Sequence, residues 1–252
     1  MVCEAAARAG GAVLLDWAGR FSVREKGRAD LVTEADLASQ EIVRERLLSA
    51  FPLHGFLGEE NSSIPSRDAG YRWIVDPLDG TTNYVHGIPN YCVSIALEQE
   101  GRLVVGAVFD PVGEECFTAA AGQGAWLNGQ PLRVSELTQL DQAVVAMSLP
   151  PDIERDDVEL RQFLEVVVKA QSMRRMGSSA LNLCYVAAGR FDAYWSSSTK
   201  VWDIAAGVLM VREAGGLVIS PEGGELDLHR PRFVAASSQP LADELRSVLV
   251  KA

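Results

Sequence analysis

The chain of 252 residues carries 34 acidic against 23 basic side chains, a net charge of −11. That excess argues against a general nucleic-acid binder, which presents a basic face. It suits a small anionic ligand only where cations mediate the contact. With 48% hydrophobic and 23% charged residues, the sequence can bury a substantial core and reads as globular rather than disordered.

Residues 1–20, MVCEAAARAGGAVLLDWAGR, place an acid early and have no basic n-region, so they predict an amphipathic helix rather than a signal peptide. No apolar run approaches the roughly 20 residues of a membrane span, and the expected location is the cytoplasm. Next, TEADLASQEIVRERLLSA at 33–50 predicts a helix. Thr33 is its N-cap, Asp36 stands three residues later, and Leu37, Ile42, Val43 and Leu47 form the apolar stripe. Residues 71–75 predict a short buried strand ending at Asp76. CVSIALEQE, GRLVVGAVFD and EECFTAAAGQGAWLNG follow as consecutive strands, with Glu100-Gly101 and Asn128-Gly129 at hairpin turns.

From about residue 143 the pattern changes to alternating strand and helix. AVVAMS is a strand, 156–170 a helix, SSALNLCYVAAG a helix, FDAYW a strand, VWDIAAGVLMVREAGG a helix ending in glycines, and LVIS and FVAAS are strands. An antiparallel, hairpin-rich first half and an α/β second half imply packed helix and sheet layers. The change of style near 135–142 is no flexible linker, and neither repeats nor low-complexity segments interrupt the chain. One unit over 1–252 is expected, with subdomains of about 1–140 and 141–252. Cys3, Cys92, Cys116 and Cys184 form no CxxC pair and are expected as buried free thiols. The spacing of His54, His86 and His229 argues against a zinc site.

The stretch WIVDPLDGTTNY at 73–84 runs from a buried strand into two acids, a glycine and hydroxyl residues. Pro77 fixes the backbone and Gly80 permits a close approach. Thr81, Thr82 and Asn83 suit a helix N-terminus, whose N–H groups accept an anion such as phosphate. Two carboxylates beside an anion cradle repel each other and the anion unless divalent cations lie between them, and hard oxygen ligands without His or Cys point to Mg²⁺. Glu59 and Glu60 in FLGEEN and Asp203 in VWDIAAG supply further acids.

Taken together, DLVTEAD at 30–36, GEE at 58–60, DPLDGTTNYVHGIP at 76–89, GSSALNLCYVAAGRFDAYW at 177–195 and WDIAAGVLMVREAGG at 202–216 resemble the inositol monophosphatase family, over essentially the full chain. The family comprises Mg²⁺-dependent, lithium-sensitive phosphomonoesterases. The resemblance implies an α+β fold, a layered αβαβα sandwich of the inositol monophosphatase and fructose bisphosphatase type. It further implies that Asp76 and Glu59, with the Leu78 carbonyl, hold an activating ion. Asp76, Asp79 and Asp203 then hold a second, and Glu59 serves a third through water, giving two to three Mg²⁺ per site.

Glu60 would support this shell. Asp36 would hydrogen-bond Thr81, and that pair with Glu59 would orient the attacking water for in-line transfer without a covalent phosphoenzyme. The amides of Gly80 and Thr81 would receive the phosphate, with Asp79, Ser179 and Asp203 also in the substrate site. Ser196 stands where inositol-selective members carry a glutamate, so the ring contact is weakened or replaced. Lys200 adds a cation near the site mouth, which either favours a second phosphate or is merely solvated, and Lys26 is a candidate for the third ion's water shell or a lid.

A small polyol or sugar phosphate such as inositol monophosphate is the leading expected substrate. Fructose bisphosphate, a 3′-phosphoadenosine nucleotide, NADP or histidinol phosphate are alternatives for the same chemistry. A regulatory protein that retains the fold is the alternative of another class. The resemblance also implies a homodimer, with neither nucleic-acid nor membrane partners.

Overall fold

The computed structural model describes residues 1–27, 30–150 and 152–251, without the side chains of Lys26 and Asp30. Helix α1 (Val2–Trp17) leads into a hairpin of β1 (Val23–Gly27) and β2 (Asp30–Thr33), then α2 (Glu34–Ala50). Strands β3 (Gly55–Gly58), β4 (Ser62–Ile64) and β5 (Tyr71–Asp79) precede the short α3 (Thr81–Val85). A meander follows: β6 (Cys92–Gln99), β7 (Arg102–Asp110), β8 (Glu115–Ala120), β9 (Gly124–Leu127) and β10 (Gln130–Pro131). The second half comprises β11 (Val144–Met147), α4 (Val158–Val167), β12 (Ser172–Arg174), α5 (Ser179–Ala187), β13 (Ala193–Ser196), α6 (Val201–Glu213), β14 (Leu217–Ile219), β15 (Phe233–Ala236) and α7 (Gln239–Lys251).

The first half builds an eight-stranded sheet in the order β10-β9-β8-β7-β6-β5-β3-β4, antiparallel except where β3 runs parallel to β5. The second half builds a five-stranded sheet, β12-β11-β13-β15-β14, parallel around β11 and antiparallel around β15. Two-residue periodicity divides each strand between two cores. On β6, Val93, Ile95 and Leu97 pack with Ala6, Leu14, Val43 and Leu47 of α1 and α2, while Cys92 and Ala96 face α5 and α6. On β13 and β15, Tyr194, Phe233 and Ala235 face that same middle layer, and Trp195, Val234 and Ala236 pack under α7. The result is the expected αβαβα sandwich, with the middle helices buried on both sides.

Both predicted hairpin turns form, with positive φ at Glu100 and Gly101 and at Asn128 and Gly129, the type I′ pattern. The four cysteines are buried and unbridged. Among the described residues no helix is long and apolar enough to cross a membrane.

Helix α2 starts as predicted. The Thr33 side chain accepts from the Ala35 amide, and Asp36 accepts from the Thr33 amide at 2.8 Å, a capping box. Its buried face differs from the predicted stripe. Leu37 is 49% exposed, whereas Asp36, Ser39 and Gln40 are buried beside Val43 and Leu47. Polar residues hold these inner positions because this part of the face meets site backbone, Ser39 bonding the Pro77 carbonyl and Gln40 the backbone of Glu60.

Candidate active site

Strand β5 runs past its predicted end. Asp76 lies within it, opposite Ser94, and Asp79 pairs with Cys92, so three steps along β5 match two along β6. Residues three apart on a regular strand face opposite sides. The extra residue is a bulge that turns both carboxylates into one cleft. Pro77 sits in the bulge, where its missing N–H costs no ladder bond, and Ser39 of α2 donates to its carbonyl at 2.9 Å.

Because β3 and β5 are parallel, their C-terminal ends come out together. The Glu59 amide donates to the Val75 carbonyl, which places Glu59 beside Asp76. The Gln40 amide group spans the next residue, donating to the Glu60 carbonyl and accepting from its N–H. Asp203 enters from the first turn of α6, where its carboxylate accepts from the Lys200 amide at 2.7 Å.

Gly80 closes the strand with φ of +100°, and a Cβ there would lie 2.9 Å from the Asn90 carbonyl, so only glycine fits. α3 then begins at Thr81, as the sequence implies. The Thr81 hydroxyl stands 3.1 Å from the Leu78 carbonyl and 3.4 Å from Asp36. Asn83 donates to the carbonyls of Asn90 and Met176, both at 2.7 Å, and so ties this corner to the loop before α5.

Glu59, Asp76, Leu78, Asp79, Gly80, Thr81, Ser179 and Asp203 all line one cleft of about 730 Å³. Burial and repulsion from Glu59, Asp79 and Asp203 push the Asp76 carboxyl well above the usual range. Burial, then Asp79, does the same to Asp203. Burial raises Asp79 to about 6, while hydrogen bonds from the Ser178 hydroxyl and the Ala180 and Ser179 amides pull in the opposite direction; the first two bonds are 2.6 Å long.

Buried acids that repel one another fit a hard cation, and the donors are all oxygen. Among the described residues no three acidic, His or Cys side chains close into a ready-made cage. Several acids are anchored instead by their own donors around the cleft.

The inositol monophosphatase family model matches residues 1–252. The chain belongs to the inositol monophosphatase family. Among its relatives is the inositol-1-monophosphatase of Rhizobium meliloti, 44% identical over 234 residues, 91% of this chain and 86% of the relative. The Nus factor SuhB of Pseudomonas aeruginosa is 43% identical over 87% of this chain and 83% of its own length. The crystal structure of the extragenic suppressor protein SuhB from Bartonella henselae superposes with a TM-score of 0.95 at 41% identity, covering 100% of this chain and 98% of that one. An IMPase/NADP phosphatase complexed with Mg²⁺ and phosphate gives a TM-score of 0.84 at 25% identity, over 94% and 89% of the two chains. With this family membership the chain is a phosphomonoesterase.

Two predicted site residues of this family member, Ser196 and Asp36, do not line the cleft. Ser196 is 2% exposed at the end of β13, and its hydroxyl faces the Ser198 amide at 3.4 Å. It shares a strand face with Tyr194 and is absent from the cleft lining, to which Ser198, Thr199 and Lys200 contribute. Asp36 is buried behind the cleft, 3.4 Å from the Thr81 hydroxyl. Lys26 is in β1 rather than a loop, and its side chain lies outside the described residues.

Sequence reasoning missed Ser148, Arg175 and Tyr194. The buried Tyr194 hydroxyl donates to Ser179 at 3.0 Å and meets Ser148 at 2.8 Å, fixing two hydroxyls of the wall. Nothing in strand periodicity marks a tyrosine as polar support; its hydroxyl inside an otherwise apolar strand was the available signal.

Proposed function

We propose that the protein is an Mg²⁺-dependent phosphatase of inositol monophosphate or a related small polyol or sugar phosphate. The β5 bulge carries this reading, because it brings Asp76 and Asp79 to the same cleft as Glu59 and Asp203. These four acids, with the Leu78 carbonyl, would hold two to three ions. Bound there, Mg²⁺ supplies charge that acidifies a water and offsets the leaving oxygen.

The remaining work falls to the chain. Gly80 and Thr81 offer amides to the phosphoryl oxygens. Thr81, backed by Asp36, orients the attacking water together with Glu59. The Gln40 clamp on Glu60 keeps the Glu59 turn in place, and Asn83 keeps the cleft corner closed. Transfer is in line to water, so positioning and charge neutralisation supply most of the acceleration.

Relatives named Nus factor SuhB raise a regulatory reading, but an acid set gathered in one cleft favours catalysis. Inhibition by lithium, a homodimeric assembly and a cytoplasmic location belong to the same proposal. A panel of phosphate esters assayed with Mg²⁺ and with chelator tests it. Mg²⁺-dependent release of phosphate from inositol monophosphate or other small polyol and sugar esters is expected. A flat panel would overturn it in favour of the regulatory reading.

A further inference from the structure

Strand β13 is the middle strand of its sheet, between β11 and β15, and Tyr194 lies on it opposite Ala146 and Ala235. Its ring is fully buried and meets Phe233 edge-on at 5.2 Å. The ladder and the ring contact together fix where the phenol points. Its hydroxyl donates to Ser179 at 3.0 Å and stands 2.8 Å from the Ser148 hydroxyl. Both serines are half-buried and line the cleft, whereas Tyr194 does not.

A phenol has one proton to give. Tyr194 gives it to Ser179, so the proton between Tyr194 and Ser148 has to come from Ser148. Burial pushes the Tyr194 phenol up to about 12, and it keeps that proton near neutral pH. The two serines are left with opposite capacities. Ser148, its proton engaged, can only accept from the cleft, while Ser179 still has a proton to donate. Among the described residues neither hydroxyl has another hydrogen-bond partner. Their backbones are fixed as well. The Ser148 amide donates to the Trp195 carbonyl at 3.3 Å, and Ser179 sits between Ser178 and Ala180, the two residues that bond Asp79 at 2.6 Å.

An acceptor and a donor braced by one phenol match a neutral alcohol, which gives its own proton and accepts on its own oxygen. An ionised phosphoryl oxygen can only accept, and would face the lone pairs of Ser148. We propose that Ser148 and Ser179 form an alcohol-reading subsite, and that Tyr194 is the positioning residue that sets its polarity. The substrates it selects are phosphomonoesters whose carbon skeleton carries free hydroxyl groups close to the ester oxygen. The proposal rests on the phosphatase reading above and names the group by which one ester is told from another.

The test compares inositol 1-phosphate with cyclohexyl phosphate, the same ring without free hydroxyls, at saturating Mg²⁺. The wild type should favour inositol 1-phosphate in kcat/KM by about tenfold or more, the contribution of one or two neutral hydrogen bonds. Tyr194→Phe keeps the ring against Phe233 and leaves both serines free to rotate. It should lower that preference by about three- to tenfold, chiefly by raising KM for inositol 1-phosphate. Ser148→Ala, at the cleft edge, should lower it in the same way and carries the test if Tyr194→Phe fails to fold. A merely structural role would slow both esters alike and leave their ratio in place. A wild-type preference near one, or a ratio unmoved in the variants whose folds circular dichroism confirms, overturns the subsite. Release from neither ester overturns the phosphatase reading beneath it.

Discussion

At the floor of the cleft, carboxylates crowd together on backbone that is fixed from several sides: the β5 bulge, the end of β3 and the first turn of α6. Around the remaining wall, side chains reach in from two loops and a strand end, and one buried tyrosine, Tyr194, braces the Ser148 and Ser179 hydroxyls. The floor carries electrostatic cost that a cation relieves, whereas the wall carries donors that a ligand can use. The floor is thus suited to set the chemistry, and the wall to set which ester is chosen.

The largest effect should come from the floor. Asp76→Asn or Asp203→Asn removes a charged ligand, and a loss of at least ~10³-fold in kcat/KM, roughly 4 kcal/mol of barrier, is expected. Steady-state assays over a Mg²⁺ titration check this, and near-wild-type activity in Asp76→Asn would remove the floor from the chemistry. Thr81→Ala should act at an intermediate level, lowering kcat by roughly ten- to a hundredfold with little change in KM. A change confined to KM would make Thr81 a substrate contact and blur the distinction between floor and wall.

The smallest effect belongs to the wall. Ser196→Glu places a longer acid on the strand face that carries Tyr194. It should raise kcat/KM for inositol monophosphate relative to glycerol phosphate by about tenfold. That ratio, measured on wild type and variant, sharpens the division; a fixed ratio would show that selectivity is set elsewhere.

Much of the floor was legible in the sequence because its chemistry is local. Thr33 with Asp36, and the acids around Pro77 and Gly80, each declare themselves within a few residues, as does the Glu100-Gly101 turn elsewhere in the sheet. The far wall depends on tertiary placement. The predicted stripe of α2 failed at Leu37 because Asp36, Ser39 and Gln40 hold the inner positions for the site loop, and hydrophobic periodicity cannot register a polar face. The strand ending at Asp76 looked complete because proline normally stops a ladder, yet the bulge carries β5 on to Asp79. Ser196 was placed by alignment of motifs, while whether it reaches the cleft depends on side-chain length and on the turn at Ser198. The β1–β2 hairpin, β12 and α7 were also missed, their patterns being short or weakly periodic.

Thermal unfolding with and without Mg²⁺, on the wild type and Asp76→Asn, tests the central claim most directly. A carboxyl whose folded pKa lies above its unfolded value penalises folding as pH rises. For Asp79 that penalty is absent below its ordinary 3.8 and is complete above about 6, and the upward shift of Asp76 has the same sign. At neutral pH in chelator, Asp76→Asn should therefore melt above the wild type, by about 2–4 °C for each kcal/mol of relieved repulsion. Mg²⁺ should raise the wild-type midpoint through its preferential binding to the folded state and should raise that of the variant far less. A variant that melts below wild type in chelator, and still gains as much from Mg²⁺, would contradict the claim that these buried acids are held apart for a cation.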